Sequence, residues 1–324
     1  MKFGYRIVLA LGSLGLAAGV WAQSFPARPV RVLTSFPPGA MVETVTRQIS
    51  QEIMKSWTQP VVMENRPGGN GIISAEACAR AAPDGHTLCL VDRTLPLLPY
   101  LNVKLPFDPE RDLLPVTNLF ATVLALVTHP SVGAANLREL LAVAKARPGA
   151  FNYGSLGPAT TSNILMEWLK QENGLAMTHV PYKSPPTLIQ DLLAGVTHMT
   201  TMGLGSFTAF HNAGKLKIIA VTGERRSPLM PNIPTLREQG LTSIDMRIPV
   251  WFGLFAPAGT PREVVGRIHQ EVARVYALPG FREKVLDANA LEGIGNTPDE
   301  FAQFLKADRA AGAEQIRVSG AKLD

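Results

Sequence analysis

Two glycine- and proline-rich turns have the residue types of an anion site built from backbone N–H groups. The first, Ser35–Glu43, follows a β-prone run that begins at Val30 and precedes an amphipathic helical pattern. The second, residues 153–162, has the same predicted strand–turn–helix setting. Because the first N–H groups of a helix lack partners and lie at the positive end of its dipole, such turns bind anions without a cationic side chain. Each turn alone could be an ordinary βα connection; the pair favours a binding site.

The candidate ligand-binding residues belong to these turns or follow predicted strands. They are Phe36, Pro38, Gly39, Ala40, Met41, Val42, Glu43, Arg93, Ser155, Gly157, Thr160, Thr161 and Met202. Arg93 could pair with a second ligand carboxylate, or with Asp92 or Asp112 at the surface. Thr160 and Thr161 could contact the ligand or cap the following helix, because both roles use the same oxygens and amides.

Catalytic and metal chemistry have little support in the sequence. The six histidines form no His-x-x-x-His pair, and no Gly-x-Ser-x-Gly turn is present. We therefore predict no enzyme activity, no cofactor and no metal site. A hydrolase with Ser155 as nucleophile and His179 in the same lobe is the less favoured alternative. Cys78 and Cys89 could form a disulfide in an oxidising compartment or remain two buried thiols.

Composition and the first residues predict an exported protein that does not bind nucleic acid. The 324 residues carry a net charge of +5 without a Lys/Arg run or a basic face with aromatics. Residues 1–23 have a basic start, an apolar segment from Ile7 to Val20 and a small-residue cleavage site before Gln23. That segment is shorter than the roughly 20 residues of a membrane span, although an uncleaved anchor is the alternative. With no cysteine near the cleavage site, we expect a periplasmic protein without a lipid anchor.

The hydrophobic patterns predict two β/α units that position the turns. Strands alternate with helices as in a doubly wound parallel sheet, and continuous apolar runs at Val123–Val127 and Val250–Ala256 are predicted to cross between the units. The predicted fold is an α/β clamshell with lobe 1 at 24–122 plus 251–324 and lobe 2 at 123–250. Strands are predicted at 30–34, 61–63, 87–91, 151–154, 178–181, 198–202 and 216–221, and helices at 43–56, 72–82, 137–146, 161–172, 187–194, 207–212, 261–276, 279–288 and 297–316. Ligands in such folds bind where the loops at strand carboxyl ends converge.

Short motifs along nearly the whole mature chain resemble those of the Bug family. The segments that carry the resemblance are Arg28–Arg31 (RPVR), Phe36–Gly39 (FPPG), Glu64–Gly68 (ENRPG), Ala81–Leu88 (AAPDGHTL), Leu105–Pro109 (LPFDP), Asn152–Ser155 (NYGS), His179–Lys183 (HVPYK), Ala213–Leu216 (AGKL), Ala220–Thr222 with Arg226–Pro228, and Trp251–Pro261 (WFGLFAPAGTP). Bug proteins are extracytoplasmic solute receptors of tripartite tricarboxylate transporters with a type II periplasmic-binding-protein fold.

The resemblance implies capture of a small carboxylate between the lobes and its delivery to membrane permease subunits by a monomeric receptor. A periplasmic sensor for a two-component system is the alternative role. The family's binding loops correspond to Pro37–Glu43 and Ser155–Ser162, where backbone amides and hydroxyls bind the carboxylate. Departures from the family pattern replace acidic positions with Met41, Val42 and Met202. We therefore expect a ligand with an apolar or aromatic body.

Overall fold

Two separate β-sheets organise the chain. The computed structural model describes residues 25–158, 160–242 and 250–320, so the predicted signal segment 1–23 lies outside the described residues. The strands of the first sheet are β1 Val30–Thr34, β2 Val61–Asn65, β3 Thr87–Asp92, β4 Leu113–Thr122, β10 Val250–Pro257 and β11 Leu291–Gly293. Their spatial order is β11-β4-β10-β3-β1-β2.

The second sheet and the helices complete the fold. The strands of the second sheet are β5 Leu124–Thr128, β6 Phe151–Ser155, β7 Met177–Pro181, β8 Met199–Gly203 and β9 Lys217–Val221, in the order β7-β6-β8-β5-β9. The described α-helices are α1 Met41–Met54, α2 Ile72–Ala79, α3 Pro109–Asp112, α4 Leu137–Ala146, α5 Thr161–Asn173, α6 Pro185–Leu193, α7 Thr208–Asn212, α8 Arg262–Tyr276 and α9 Pro298–Ser319. We name the residues around the first sheet lobe 1 and those around the second lobe 2.

Each sheet is mixed: the strands of the predicted β/α units pair in parallel, and the crossing strands run antiparallel to their neighbours. β10 runs antiparallel to β3 and β4, and β5 runs antiparallel to β8 and β9. β1 pairs in parallel with β2 and β3, as β6 does with β7 and β8. The antiparallel strands arrive from the other lobe: β5 follows β4 after the single residue Val123. A strand that enters from the other lobe begins at the gap between the lobes, and its antiparallel direction places the carboxyl ends of the neighbouring parallel strands at that same gap. The carboxyl ends of β1 and β6 therefore both face the gap between the lobes.

Other parts of the structure also differ from the prediction. β4 was not predicted because Pro115 interrupts its pattern, and this proline sits at a register shift where a strand tolerates a missing N–H. The predicted helix at 279–288 is instead a π-type turn, Arg282–Leu286, followed by a 3₁₀ turn. Phe281 and Leu286 both pack into the core of the first sheet, and their i,i+5 spacing shares one face in a π turn.

The lobes are in contact along one side of the gap. Ile164, in the first turn of α5, lies in the same buried cluster as Leu33 of β1 and Trp251 of β10. Helix α9 packs against β4 and also against α5. The first turn of α5 therefore lies against lobe 1, close to the end of β1.

The two cysteines are bridged. Cys78 on α2 and Cys89 on β3 form a disulfide with their Cα atoms 5.9 Å apart, and both are fully buried. The disulfide ties a helix to the central part of the first sheet. Within residues 25–158, 160–242 and 250–320, every helix is too short or too polar to cross a bilayer.

Candidate functional site

The first turn is held in place by lobe 1 itself. The backbone N–H of Phe36 donates to Thr34 Oγ1 at 3.2 Å, and Asn65 Nδ2 donates to the Phe36 carbonyl oxygen at 2.8 Å. The Phe36 ring packs edge-on against Phe252 of β10, with 5.7 Å between centroids. Gly39 has a φ of +83°, which lets the chain turn sharply into α1. The turn thus has a fixed shape at the carboxyl end of β1.

Helix α1 begins without a side-chain cap. Ala40 occupies the N-cap position, and it has no side-chain oxygen to accept from the first turn. The backbone N–H groups of Met41 and Val42 have no hydrogen-bond acceptor among the described residues. Two donors at the positive end of the α1 dipole are therefore available at the edge of the gap.

The Glu43 side chain makes its contacts within lobe 1. Its side chain is almost fully buried, Oε2 accepts from the Gly39 N–H at 3.3 Å, and Oε1 accepts from Arg47 Nε at 3.0 Å. The ion pair with Arg47 compensates the negative charge that would otherwise repel an anion at this helix start. Glu43 stabilises the shape of the first turn.

The second turn is held by hydroxyl groups. Ser155 is fully buried at the end of β6, and its Oγ accepts from the Gly157 N–H at 3.1 Å and lies 3.0 Å from the Gly157 carbonyl oxygen. Thr160 Oγ1 donates to the same carbonyl at 2.9 Å and accepts from the Asn163 N–H at 3.3 Å. Thr160 therefore caps α5, the capping alternative considered for this residue. The N–H groups of Thr161 and Ser162 donate to none of the described residues.

A third loop, after β2, joins the two turns, and sequence reasoning assigned it no binding role. Asn70 Nδ2 donates to the Pro158 carbonyl oxygen at 3.4 Å, across the gap between the lobes. Gly71 of the same loop lies beside Ser35, since a Cβ there would be in ordinary contact with Ser35 Oγ at 3.6 Å. Residues 68–71 all have a positive φ. The glycine-rich run after a short strand is the sequence signal that could have pointed to this loop.

Arg93 belongs to a buried ion pair and not to the surface pairs considered from the sequence. Its side chain is 1% exposed, and Nε donates to Asp308 Oδ1 on α9 at 2.6 Å. Trp251 Nε1 donates to Asp308 Oδ2 at 2.7 Å. The pairing with Asp92 or Asp112 is therefore wrong. Arg93 links the end of β3 to α9 and to the crossing strand β10.

Asp92 ends β3 at the edge that faces the gap. Its Oδ1 accepts from the Thr94 N–H at 3.0 Å. Burial raises the pKa of this carboxyl from its ordinary 3.8 to about 6, and backbone hydrogen bonds only partly oppose that effect. The group thus titrates close to neutral pH.

The three apolar candidates occupy different environments. Val42 is 7% exposed in the core of lobe 1, and Met202 is 6% exposed in a core of lobe 2. Met41 is only partly buried and packs at the border of the lobe 1 core. Of the three, Met41 presents the most surface at the turn, beside the half-buried Phe36 and Ala40 and the exposed Pro38.

A separate cavity of about 690 Å³ lies beside the first crossing between the lobes. Its walls include Thr122 and Val123, the segment 223–229 and Asp287. Neither predicted binding turn lines it. In the part of the chain that the structure describes, no group of three or more His, Cys, Asp or Glu converges as a metal site would require.

The sequence of the chain matches one protein family over most of its length. Residues 45–318 match the family described as "Tripartite tricarboxylate transporter family receptor". The chain belongs to this family. It is 31% identical to protein BugT of Bordetella pertussis, over 98% of this chain and 97% of that protein. The Bug resemblance seen in the motifs is thereby confirmed.

Solved structures support the same assignment and the periplasmic-binding-protein fold. Rpa4515 of R. palustris, solved with adipate, is 26% identical with a TM-score of 0.84, covering 92% of this chain and 99% of that one. MatC of Rhodopseudomonas palustris, solved with bound malate, is 27% identical with a TM-score of 0.81, covering 90% of this chain and 100% of that one. The α/β clamshell predicted from the sequence is confirmed.

Proposed function

We propose that this chain is a periplasmic receptor that binds a small carboxylate between its lobes and delivers it to the permease subunits of a tripartite tricarboxylate transporter. The observation that carries the proposal is the pair of helix starts, α1 in lobe 1 and α5 in lobe 2, whose first N–H groups find no acceptor in the described part of the chain and lie at strand ends that face one gap. The bond from Asn70 to Pro158 brings the second turn against the loop that borders the first. The carboxylate ligands of the two R. palustris relatives agree with this chemistry.

Main-chain donors suffice for useful affinity. A micromolar complex needs about −8 kcal/mol. Four donors, the N–H groups of Met41, Val42, Thr161 and Ser162, would each contribute roughly 1.5–3 kcal/mol to a charged acceptor. Burial of an apolar ligand body adds to this and offsets the cost of ordering the complex.

We further propose that the ligand has an apolar or aromatic body. Three cations near the first turn are paired within lobe 1: Arg47 with Glu43, Arg66 with Glu64, and Arg93 with Asp308. The surface beside the first turn comes from Phe36, Pro38, Ala40 and Met41. A highly charged acid would find few compensating groups there, whereas an apolar body would be accommodated by the ring and the flexible thioether.

Native mass spectrometry of protein purified from its host periplasm tests the proposal directly, because a co-purified acid would identify the ligand. Isothermal titration calorimetry with benzoate, adipate, malate, glutamate and citrate then shows how the affinity depends on the carboxylate groups and on the rest of the ligand. We expect benzoate or adipate to bind at least tenfold more tightly than glutamate or citrate, about 1.4 kcal/mol in free energy. Tight binding of glutamate or citrate with no binding of benzoate would refute the apolar body. No binding of any acid, and none co-purified, would refute carboxylate capture.

A further inference from the structure

His179 lies directly behind the second binding turn. The parallel register of β6 and β7 pairs Tyr153 with His179. Because side chains two residues apart on a strand share one face, Ser155 lies on the same face as Tyr153. His179 Nε2 is 2.8 Å from Ser155 Oγ. The histidine thus reaches along the sheet to the residue that begins the turn.

The Ser155 hydroxyl is a junction of three hydrogen bonds. It accepts from the Gly157 N–H at 3.1 Å, and it has contacts of 3.0 Å with the Gly157 carbonyl and 2.8 Å with His179. A hydroxyl has one proton, so it can donate to only one of the last two groups. If it donates to the Gly157 carbonyl, His179 Nε2–H must donate to Oγ. His179 therefore completes the set of contacts that fixes the Gly157 peptide.

This geometry differs from that of a catalytic Ser–His pair. Ser155 is fully buried, and its Oγ is already engaged by both the N–H and the carbonyl of Gly157. A nucleophilic serine needs an approach for the substrate and must donate its proton to the base, whereas Ser155 donates its one proton to the Gly157 carbonyl. The pair instead joins the sheet to the turn.

The histidine ring is itself held in position. It stacks on the Tyr153 ring, with 4.8 Å between centroids and 18° between planes. Asn163 Nδ2 donates to the Tyr153 hydroxyl at 2.8 Å, and that hydroxyl donates to Glu167. Lys170 bonds Glu167 at 2.8 Å and lies 5.6 Å above the Tyr153 ring. Asn163, Glu167 and Lys170 all belong to α5, so the helix start and the histidine share one packed unit.

We propose that His179 is a positioning residue for ligand binding: through Ser155 and Gly157 it sets the orientation in which the turn presents the first N–H groups of α5. This inference rests on the proposed function, in which those N–H groups bind a carboxylate. His179 touches the turn and not the ligand. Loss of the His179 side chain would therefore weaken ligand binding although the N–H groups of α5 remain.

Three variants separate the hydrogen bond from the packing. His179→Phe keeps a ring on Tyr153 and removes Nε2, His179→Gln keeps a polar group at a similar reach, and Ser155→Ala removes the junction. His198→Phe is the matched control, because His198 also packs on a lobe 2 ring, that of Phe151, at the other end of β6. The measurements are hydrogen exchange and chemical shift of the Gly157 amide in ligand-free, ¹⁵N-glycine-labelled protein, and the dissociation constants for malate and adipate.

We expect His179→Phe and Ser155→Ala to accelerate exchange of the Gly157 amide and to weaken acid binding, each by about fivefold, the effect of one hydrogen bond. His179→Gln and His198→Phe should stay within about twofold of the unsubstituted protein on both measures, a difference of less than half of one such bond. An unchanged Gly157 amide in His179→Phe would overturn the proposal, as would equal loss of binding in His198→Phe. If neither acid binds the unsubstituted protein but the Gly157 amide still responds, carboxylate capture of these acids fails and the positioning of the turn stands.

Discussion

Thr161→Pro would remove one backbone donor of the proposed site and leave its helix in place. Thr161 is the first residue of α5, and its N–H has no acceptor among the described residues. Proline is favoured at this position because no intrahelical hydrogen bond is lost and its φ is already helical. Thr160 precedes it with φ −65° and ψ 153°, the extended conformation that a residue before proline adopts.

The size of the effect follows from the bond that is lost. An N–H group that donates to a carboxylate contributes about 1.5–3 kcal/mol, so its loss should weaken ligand binding about 10- to 150-fold. Thr161 is 8% exposed, so its side chain also packs. Thr161→Val is the matched control, since valine has nearly the same shape, keeps the N–H and removes only the hydroxyl.

Calorimetric titration of both variants with the tightest-binding acid of the panel distinguishes the loss of the backbone N–H from the loss of the side-chain hydroxyl. Urea unfolding of the two proteins checks that their stabilities match within about 1 kcal/mol, the usual scale of one substitution. If Thr161→Pro binds as tightly as Thr161→Val, the α5 N–H groups do not hold the carboxylate, and the argument from helix starts is refuted.

Three further predictions concern other parts of the molecule. Asp308→Asn should lower the free energy of unfolding by about 3–5 kcal/mol, because Arg93 would keep a buried charge without its partner; urea unfolding measures this. Asp92→Asn should raise the free energy of unfolding above pH 6 and leave it unchanged near pH 4. Between these values the folded protein holds a proton on Asp92 that the unfolded chain releases. The stability of the unsubstituted protein therefore falls as pH rises from 3.8 to about 6. Asn70→Gly, which suits the φ of 50° there, should speed ligand dissociation about fivefold in stopped-flow measurements, since it removes the bond to Pro158.

A specific result would contradict each of these predictions. Asp299→Asn, an exposed aspartate in the first turn of α9, should cost less than about 1 kcal/mol, and an equal effect of Asp308→Asn would contradict the buried-pair argument. A pH-independent stability difference for Asp92→Asn would show that its carboxyl does not titrate as expected. An unchanged dissociation rate for Asn70→Gly would show that the contact between Asn70 and Pro158 does not slow ligand release.

Much of the fold could be predicted because local chemistry and global packing agree. The helix of 137–146 was predicted with its bounds, since Asn136 accepts from the Glu139 N–H as an N-cap and the apolar positions follow one helical face. The capping box Thr297–Glu300 likewise marks the start of α9. The antiparallel direction of β5 and β10 was not predicted, because the apolar runs indicated a crossing between the lobes but not the strands with which they would pair.

The site was predictable only where it depends on local sequence. The two turns were found because glycine and proline after a β-prone run indicate a tight connection. The partner of Arg93 was missed because Asp308 lies 215 residues away, and the pairing depends on how α9 packs against β4 and the segment that follows β3. The role of Asn70 was missed for a similar reason, since its acceptor belongs to the other lobe.

The position of β10 has a consequence for how the polypeptide reaches its final form. This strand fills the middle of the first sheet, between β3 and β4, yet it is synthesised only after all five strands of the second sheet. An amino-terminal fragment that stops at Thr122 would leave the edges of β3 and β4 that face β10 unpaired, and unpaired strand edges promote aggregation. Lobe 1 therefore cannot be completed first, and the long sequence separation of its central pairs should make its folding slow.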